Sequence, residues 1–168
     1  ERINSAKAIE ESEEEYRIIT ENMADVITTM DMSLRFTYVS PSIIQLRGFT
    51  VEEAMRQTID QIMTPDSLQA VSKVFEEELR LEDTGIADPG RTRIIELEGY
   101  KKDGSTIWVE NTSSFLRDKE QKPVGILIVS RDITEKKRAE LELRKSEQLL
   151  NEMGAIARIG GWEHDLLR

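Results

Sequence analysis

The sequence predicts an α+β domain: one five-stranded antiparallel sheet with short helices on one face, flanked by a helix at each end. Three observations carry this. Five β-rich runs occupy the interior, two before and three after a stretch of helical segments. Turn signals separate neighbouring runs, Asp103-Gly104 above all. Residues 1–22 and 135–153 contain neither Gly nor Pro and are dense in charge.

Taken in order, residues 1–22 read as a connector helix. Ile9, Tyr16, Ile19 and Met23 recur at helical spacing beside an acidic block, Glu10, Glu11 and Glu13 to Glu15. Residues 25–31 (DVITTMD) and 34–40 (LRFTYVS) are two strands, with a tight turn at Asp31-Met32-Ser33. Residues 41–47 and 51–56 are short helical pieces, the first ended by Gly48. Pro65-Asp66 opens a stronger helix. There Leu68, Val71, Phe75 and Leu79 share one face to about Glu82. Residues 85–90 (GIADPG) are a loop, and strands follow over 91–101, 106–116 and 123–131. The domain proper is expected over residues 23–134 and a second connector helix over 135–153.

Residues 154–168 carry an echo of the beginning. Lys145-Ser146-Glu147 matches Glu11-Ser12-Glu13, and Ile159-Gly160-Gly161-Trp162-Glu163 reads as a strand. This segment is expected to start a further copy of the domain. The chain opens on Glu1 and is expected to be an internal segment of a longer protein.

Composition excludes several chemistries. The chain has 168 residues, a net charge of −10 and no cysteine. A nucleic-acid interface or an anionic membrane surface calls for a basic stripe, so neither is expected. Thiolate nucleophiles and cysteine-held metals or clusters are ruled out. The one histidine, His164, leaves no basis for histidine-centred catalysis. The acidic run Glu13-Glu14-Glu15 is a solvated helix face rather than a metal site, and no metal is expected. No glycine-rich phosphate loop occurs and no motif pairs carboxylates, so the chain itself is expected not to be an enzyme. With no run of about 18 apolar residues, no membrane span or direct membrane contact is expected. A cysteine-free, acidic segment is expected to be cytoplasmic, with a membrane anchor elsewhere in the parent protein left open.

The last helix has a seam. Ala139, Leu143, Ser146, Leu150, Met153 and Ala157 follow a 4-3-4-3-4 spacing, the pattern of a coiled coil. It predicts a parallel homodimer joined through Leu143, Leu150 and Met153, with Tyr16, Ile19 and Met23 of the first helix contributing. The competing reading is a charged surface helix packed on its own sheet. Just before it, Asp132 and Glu135 have the spacing of a capping box.

Three stretches resemble the PAS (sensory-box) domain: Tyr38-Val39-Ser40-Pro41-Ser42 with Gly48-Phe49-Thr50-Val51-Glu52-Glu53; Lys101-Lys102-Asp103-Gly104-Ser105 with Trp108-Val109-Glu110; and Asp132-Ile133-Thr134-Glu135-Lys136-Lys137. The resemblance covers roughly residues 20–137. The tail resembles the first strand of another such domain, which implies a tandem array in a signalling protein such as a sensor histidine kinase.

The resemblance implies further roles. Asp132, Ile133, Thr134 and Glu135 would couple the last strand to the output helix. Met30, Leu97, Val109, Asn111, Ser113, Ile126, Ile128 and Ser130 would face inward and line a pocket. Val109, Asn111 and Ser113 alternate, as do Ile126, Ile128 and Ser130, so each set shares a face. Asn111, Ser113 and Ser130 satisfy one another or a water, or else meet a small ligand. Ile43, Leu46, Met63 and Phe75 would close the helical side. Trp108, Leu127 and Val129 on the other face need cover from the first helix, of the same chain or of a partner. Glu53 would pair with Lys101 or Lys102.

The cofactor is left unknown. Haem held by a histidine on the long helix is excluded, since residues 65–82 contain none. A cysteinyl–flavin adduct is excluded by the missing cysteine. The function implied is a cytoplasmic sensor and relay module of a bacterial two-component protein. It would pass a ligand or partner signal to an output domain of the same chain, foremost a histidine kinase. The alternatives are a ligand-free dimerisation spacer, or the same module in a cyclic-dinucleotide cyclase or phosphodiesterase.

Overall fold

In β1 (Val26–Asp31) every second side chain is buried, as a strand with one face on a core requires. The structure, a computed structural model, describes the backbone of residues 2–165 and the side chains of residues 5–16 and 23–158. After β1 come β2 (Phe36–Val39), α2 (Ile43–Arg47), α3 (Val51–Met55), α4 (Ile59–Ile62) and α5 (Pro65–Asp83). Then follow β3 (Arg93–Tyr100), β4 (Thr106–Arg117), β5 (Pro123–Asp132) and α6 (Thr134–Asp165), while α1 (Arg2–Asn22) precedes them all. The sheet order is β2-β1-β5-β4-β3 and every pairing is antiparallel.

Local chemistry sets the corners. Asp31 Oδ1 accepts the backbone N–H groups of Ser33 and Arg35, which turns β1 into β2. Gly104 takes φ 84°, a left-handed conformation open to glycine, at the β3–β4 hairpin. Thr50 and Glu53 form a reciprocal capping box at the start of α3. Pro65 sits at the first turn of α5, where its missing N–H removes no helical bond. Ser67 Oγ then accepts the Glu98 N–H at 2.8 Å, sewing that end of α5 to β3.

Val26, Val39, Ile43, Leu46, Ala54, Leu97, Ile107 and Val109 form the core between the sheet and the helices α2 and α3. Cross-strand register confines them to one face. Leu97 opposes Val109, and Ser130 of β5 opposes both Val26 and Asn111.

Three expectations need correction. The four-residue helix α4 was not anticipated; Thr58 and Gln61 cap it, within a stretch too short to show periodicity. The strand expected from Ile159 is not formed, since α6 runs on to Asp165. Residues 166–168 of that expectation lie outside the described residues. An isolated segment has no neighbour to complete a ladder, whereas a helix satisfies its backbone internally. Residues 5–16 of α1 are exposed throughout and Tyr16 is 69% exposed, so this part of α1 gives the sheet of its own chain no cover. An acidic helix with so few apolar side chains gains little by docking. Ile19 lies outside the described side chains.

The chain divides into two units, Glu1–Asp132 and Ile133–Arg168. The second is α6, whose Leu141, Leu143, Leu149, Leu150, Met153 and Ile156 are exposed.

Candidate functional site

Two adjoining hollows lie between the sheet and the helices, of about 90 and 110 Å³. Both are walled by Met30, Ile59, Val71, Leu97, Asn111 and Ile128. Ser113, Ile126 and Phe75 belong to the first; Val109, Ser130, Ile43, Leu46 and Met63 belong to the second. All eight inward-facing residues named from the sequence therefore border one hollow or both. An apolar cavity on the order of 150 Å³ admits a benzene-sized molecule, so each hollow by itself has room for a smaller one.

Asn111 is the polar group between the hollows. Its Oδ1 is buried and has no hydrogen-bond partner. Buried polar atoms are nearly always paired, so an unpaired amide oxygen on a cavity wall marks a place where a donor is wanted. Ser113 is engaged differently, its Oγ donating to the Arg93 carbonyl at 3.5 Å.

Arg47 was not among the residues expected at the site. It closes α2, is only 8% exposed, and lines the second hollow. Its Nε donates to the Tyr100 carbonyl at 2.7 Å and its Nη1 to Gln57 Oε1 at 3.3 Å. The Phe49 ring centroid lies 4.9 Å from the guanidinium carbon. Burial draws its pKa down to about 10. A signal was present, since Arg47 stands four residues after the buried Ile43 and so shares its helix face.

Glu78, Arg91 and Arg93 put charge in the wall of the first hollow. Arg91 and Arg93 both donate to Glu78, Arg91 at 2.6 Å. Arg91 and Arg117 both reach Glu82, each at 2.6 Å. Burial pushes the Glu78 carboxyl up, but hydrogen bonds from Arg93 and Arg91 outweigh it and leave it lowered. For Glu82 the Arg117 hydrogen bond is the largest influence and brings the carboxyl down to about 2. These partners lie 9 to 35 residues apart, separations with no sequence pattern.

At the other end of the helical layer, Lys102 Nζ reaches both Glu53 carboxylate oxygens, at 2.7 and 2.8 Å. This is the pair expected between the helices and the hairpin. The Lys102 hydrogen bond is the main cause that lowers the Glu53 carboxyl.

The exit differs slightly from expectation. Asp132 still pairs with Val109 in the sheet and α6 starts at Thr134. The flanking position is therefore Ile133, whose carbonyl accepts the Lys137 N–H, and not Asp132 as the capping-box spacing implied. Glu135 accepts a hydrogen bond from Arg138 at 2.8 Å. Leu143, Leu150 and Met153 are 61 to 66% exposed on α6, and Met23 is 36% exposed. Among the described residues no group of three or more acidic, His or Cys side chains is placed to hold a metal ion. No described helix is long and apolar enough to cross a membrane.

Comparison with known proteins matches residues 24–135 to the PAS domain family model. The chain is 27% identical over 153 residues to the sensor histidine kinase TmoS of Ectopseudomonas mendocina, covering 91% of this chain and 15% of that protein. It is 26% identical over 167 residues to the probable diguanylate cyclase DgcE of Escherichia coli (strain K12), covering 95% of this chain and 14% of that one. The chain thus spans about one seventh of these relatives. The crystal structure of a PAS domain from Colwellia psychrerythraea superimposes with a TM-score of 0.60 at 20% identity, over 73% of this chain and 97% of that one.

Proposed function

The chain belongs to the PAS domain family, and from that premise we propose that it is a sensor and relay module, with β5 as the relay. One observation carries this reading. β5 lends Ile126, Ile128 and Ser130 to the hollows, and two residues after its last paired position the chain is helical. A small molecule that shifts those side chains shifts the strand that leads into α6. Asp132, Ile133, Thr134 and Glu135 form the step between them.

The parent is proposed to be a cytoplasmic signalling protein with a histidine kinase as output, the likeness to a sensor histidine kinase supporting this. The exposed leucines of α6 support a helix that finds its partner in a second copy. The unpaired Asn111 oxygen favours sensing over a filled, ligand-free spacer.

Native mass spectrometry of the purified chain, followed by hydrogen exchange across residues 123–137 with and without a bound small molecule, tests the reading. A bound mass, with altered exchange in that segment when it is removed, is the expected result. A chain that holds nothing, and whose β5 exchange no small molecule in a metabolite library alters, sinks it.

A further inference from the structure

Three arginines of this domain are largely withdrawn from water, and only one lacks a carboxylate. Arg91 and Arg117 are 16 and 11% exposed and lie against Glu78 and Glu82. Arg47 is more than nine-tenths buried, and its partners are a carbonyl, an amide oxygen and a ring face. Its Nη2 is buried with no partner at all. A guanidinium taken out of water keeps its charge, and neutral acceptors compensate that charge only in part.

The surroundings narrow what would complete it. Arg47 and Asn111 border the same hollow, one bringing unused N–H donors and the other an unused acceptor. Between them the wall is apolar, with Val26, Val39, Ile43 and Leu97. A phosphate dianion brings three strongly hydrated oxygens that one free nitrogen cannot serve. A carboxylate carries a single charge on two oxygens, which the N–H groups of Nη2 can meet.

We infer that the hollow beside Arg47 binds a small carboxylic acid, its carboxylate on Nη2 of Arg47 and its apolar body among the aliphatic side chains of the cavity. A hydroxyl or amino group on that body would donate to Oδ1 of Asn111. The inference rests on the sensing role proposed above and adds to it the charge of the ligand. The lowered pKa that burial gives Arg47 accords with a charge still waiting for its counter-ion.

The test uses the whole chain with butyrate and 3-hydroxybutyrate, matched by their neutral amides, at constant ionic strength. Binding is read by calorimetry and by the Arg47 side-chain N–H signal in NMR. The acids are expected to bind at least tenfold more tightly than the amides and to shift the Arg47 signal. Arg47→Met should remove that preference, Arg47→Lys should restore part of it, and Asn111→Asp should repel the acids. Circular dichroism on each variant separates lost binding from lost folding, and Asn111→Asp carries the test if Arg47→Met unfolds. Equal binding of acids and amides, or a preference that survives Arg47→Met, overturns the inference and leaves sensing intact. If neither acids nor amides bind, the inference falls, and the bound mass sought by native mass spectrometry still decides the sensing role separately.

Discussion

Arg117 grips Glu82 with both arms, Nη1 and Nη2 donating to the two carboxylate oxygens at 2.9 and 2.6 Å. The pair fastens the end of α5 to the far end of β4. Hydrogen bonds to charged groups are worth about 1.5–3 kcal/mol, so Glu82→Gln should lower unfolding stability by about that much at pH 7. The folded carboxyl titrates at about 2, below its ordinary 4.5. Its contribution is therefore full above roughly pH 4.5 and is lost as pH falls toward 2. Urea midpoints of the two proteins should converge over that window; a gap that stays constant down to pH 2 would show that Glu82 is not the group responsible.

Ser40 is fully buried, and its Oγ accepts the Ile27 N–H at 2.9 Å while meeting Ser42 Oγ at 2.8 Å. Ser42 in turn donates to the Asp25 carbonyl at 3.0 Å. Ser40→Ala strands the Ile27 donor and should cost about 1–3 kcal/mol. Equilibrium denaturation checks the size. Faster hydrogen exchange at Ile27 checks the cause, and a protected Ile27 amide in the variant would refute it.

A methyl group at Gly125 would stand 2.7 Å from the Met30 carbonyl oxygen, inside the β1–β5 ladder. Backbone cannot yield as a side-chain tip does. Gly125→Ala should therefore destabilise by about 1–3 kcal/mol and shift amide resonances along residues 26–31 and 123–132. Gly90→Ala, with no contact under 3.5 Å, serves as the tolerated control.

The α6 seam is open to a direct measurement. Leu150 is 65% exposed, so Leu150→Glu removes nothing from the folded chain and should leave the thermal midpoint within a degree or two. If two copies pair through this helix, the substitution should weaken self-association at least tenfold in sedimentation equilibrium. Wild-type protein that stays monomeric at high micromolar concentration would dispose of the pairing.

The sheet was legible because its signals are local. Alternation in Val109, Asn111 and Ser113 assigns one face, and Asp103-Gly104 can hardly be anything but a turn. The same alternation identified the cavity wall on the sheet side. What escaped was charge in unexpected places. A lone arginine beside Gly48 reads as a surface helix end, and only its four-residue step from Ile43 points inward. The Glu78, Glu82, Arg91 and Arg117 cluster depends on how β3 and β4 return beneath α5, which no short window of sequence contains. Residues 159–163 read as a strand, yet α6 runs through them, since a strand there would have lacked a neighbour.

Asp25 stands at the entrance to β1 and Arg131 at the exit of β5, and their ion pair at 2.8 Å joins the two threads of the chain. Because β1 and β5 are antiparallel neighbours, both threads leave from the same end of the ladder. A pull on the two connectors would open that ladder like a zipper, one rung at a time from Val26 and Ser130, rather than shear all its rungs together. The module is thus mechanically soft along the line on which its connectors act, and the Asp25–Arg131 clasp is the first rung a tug must break.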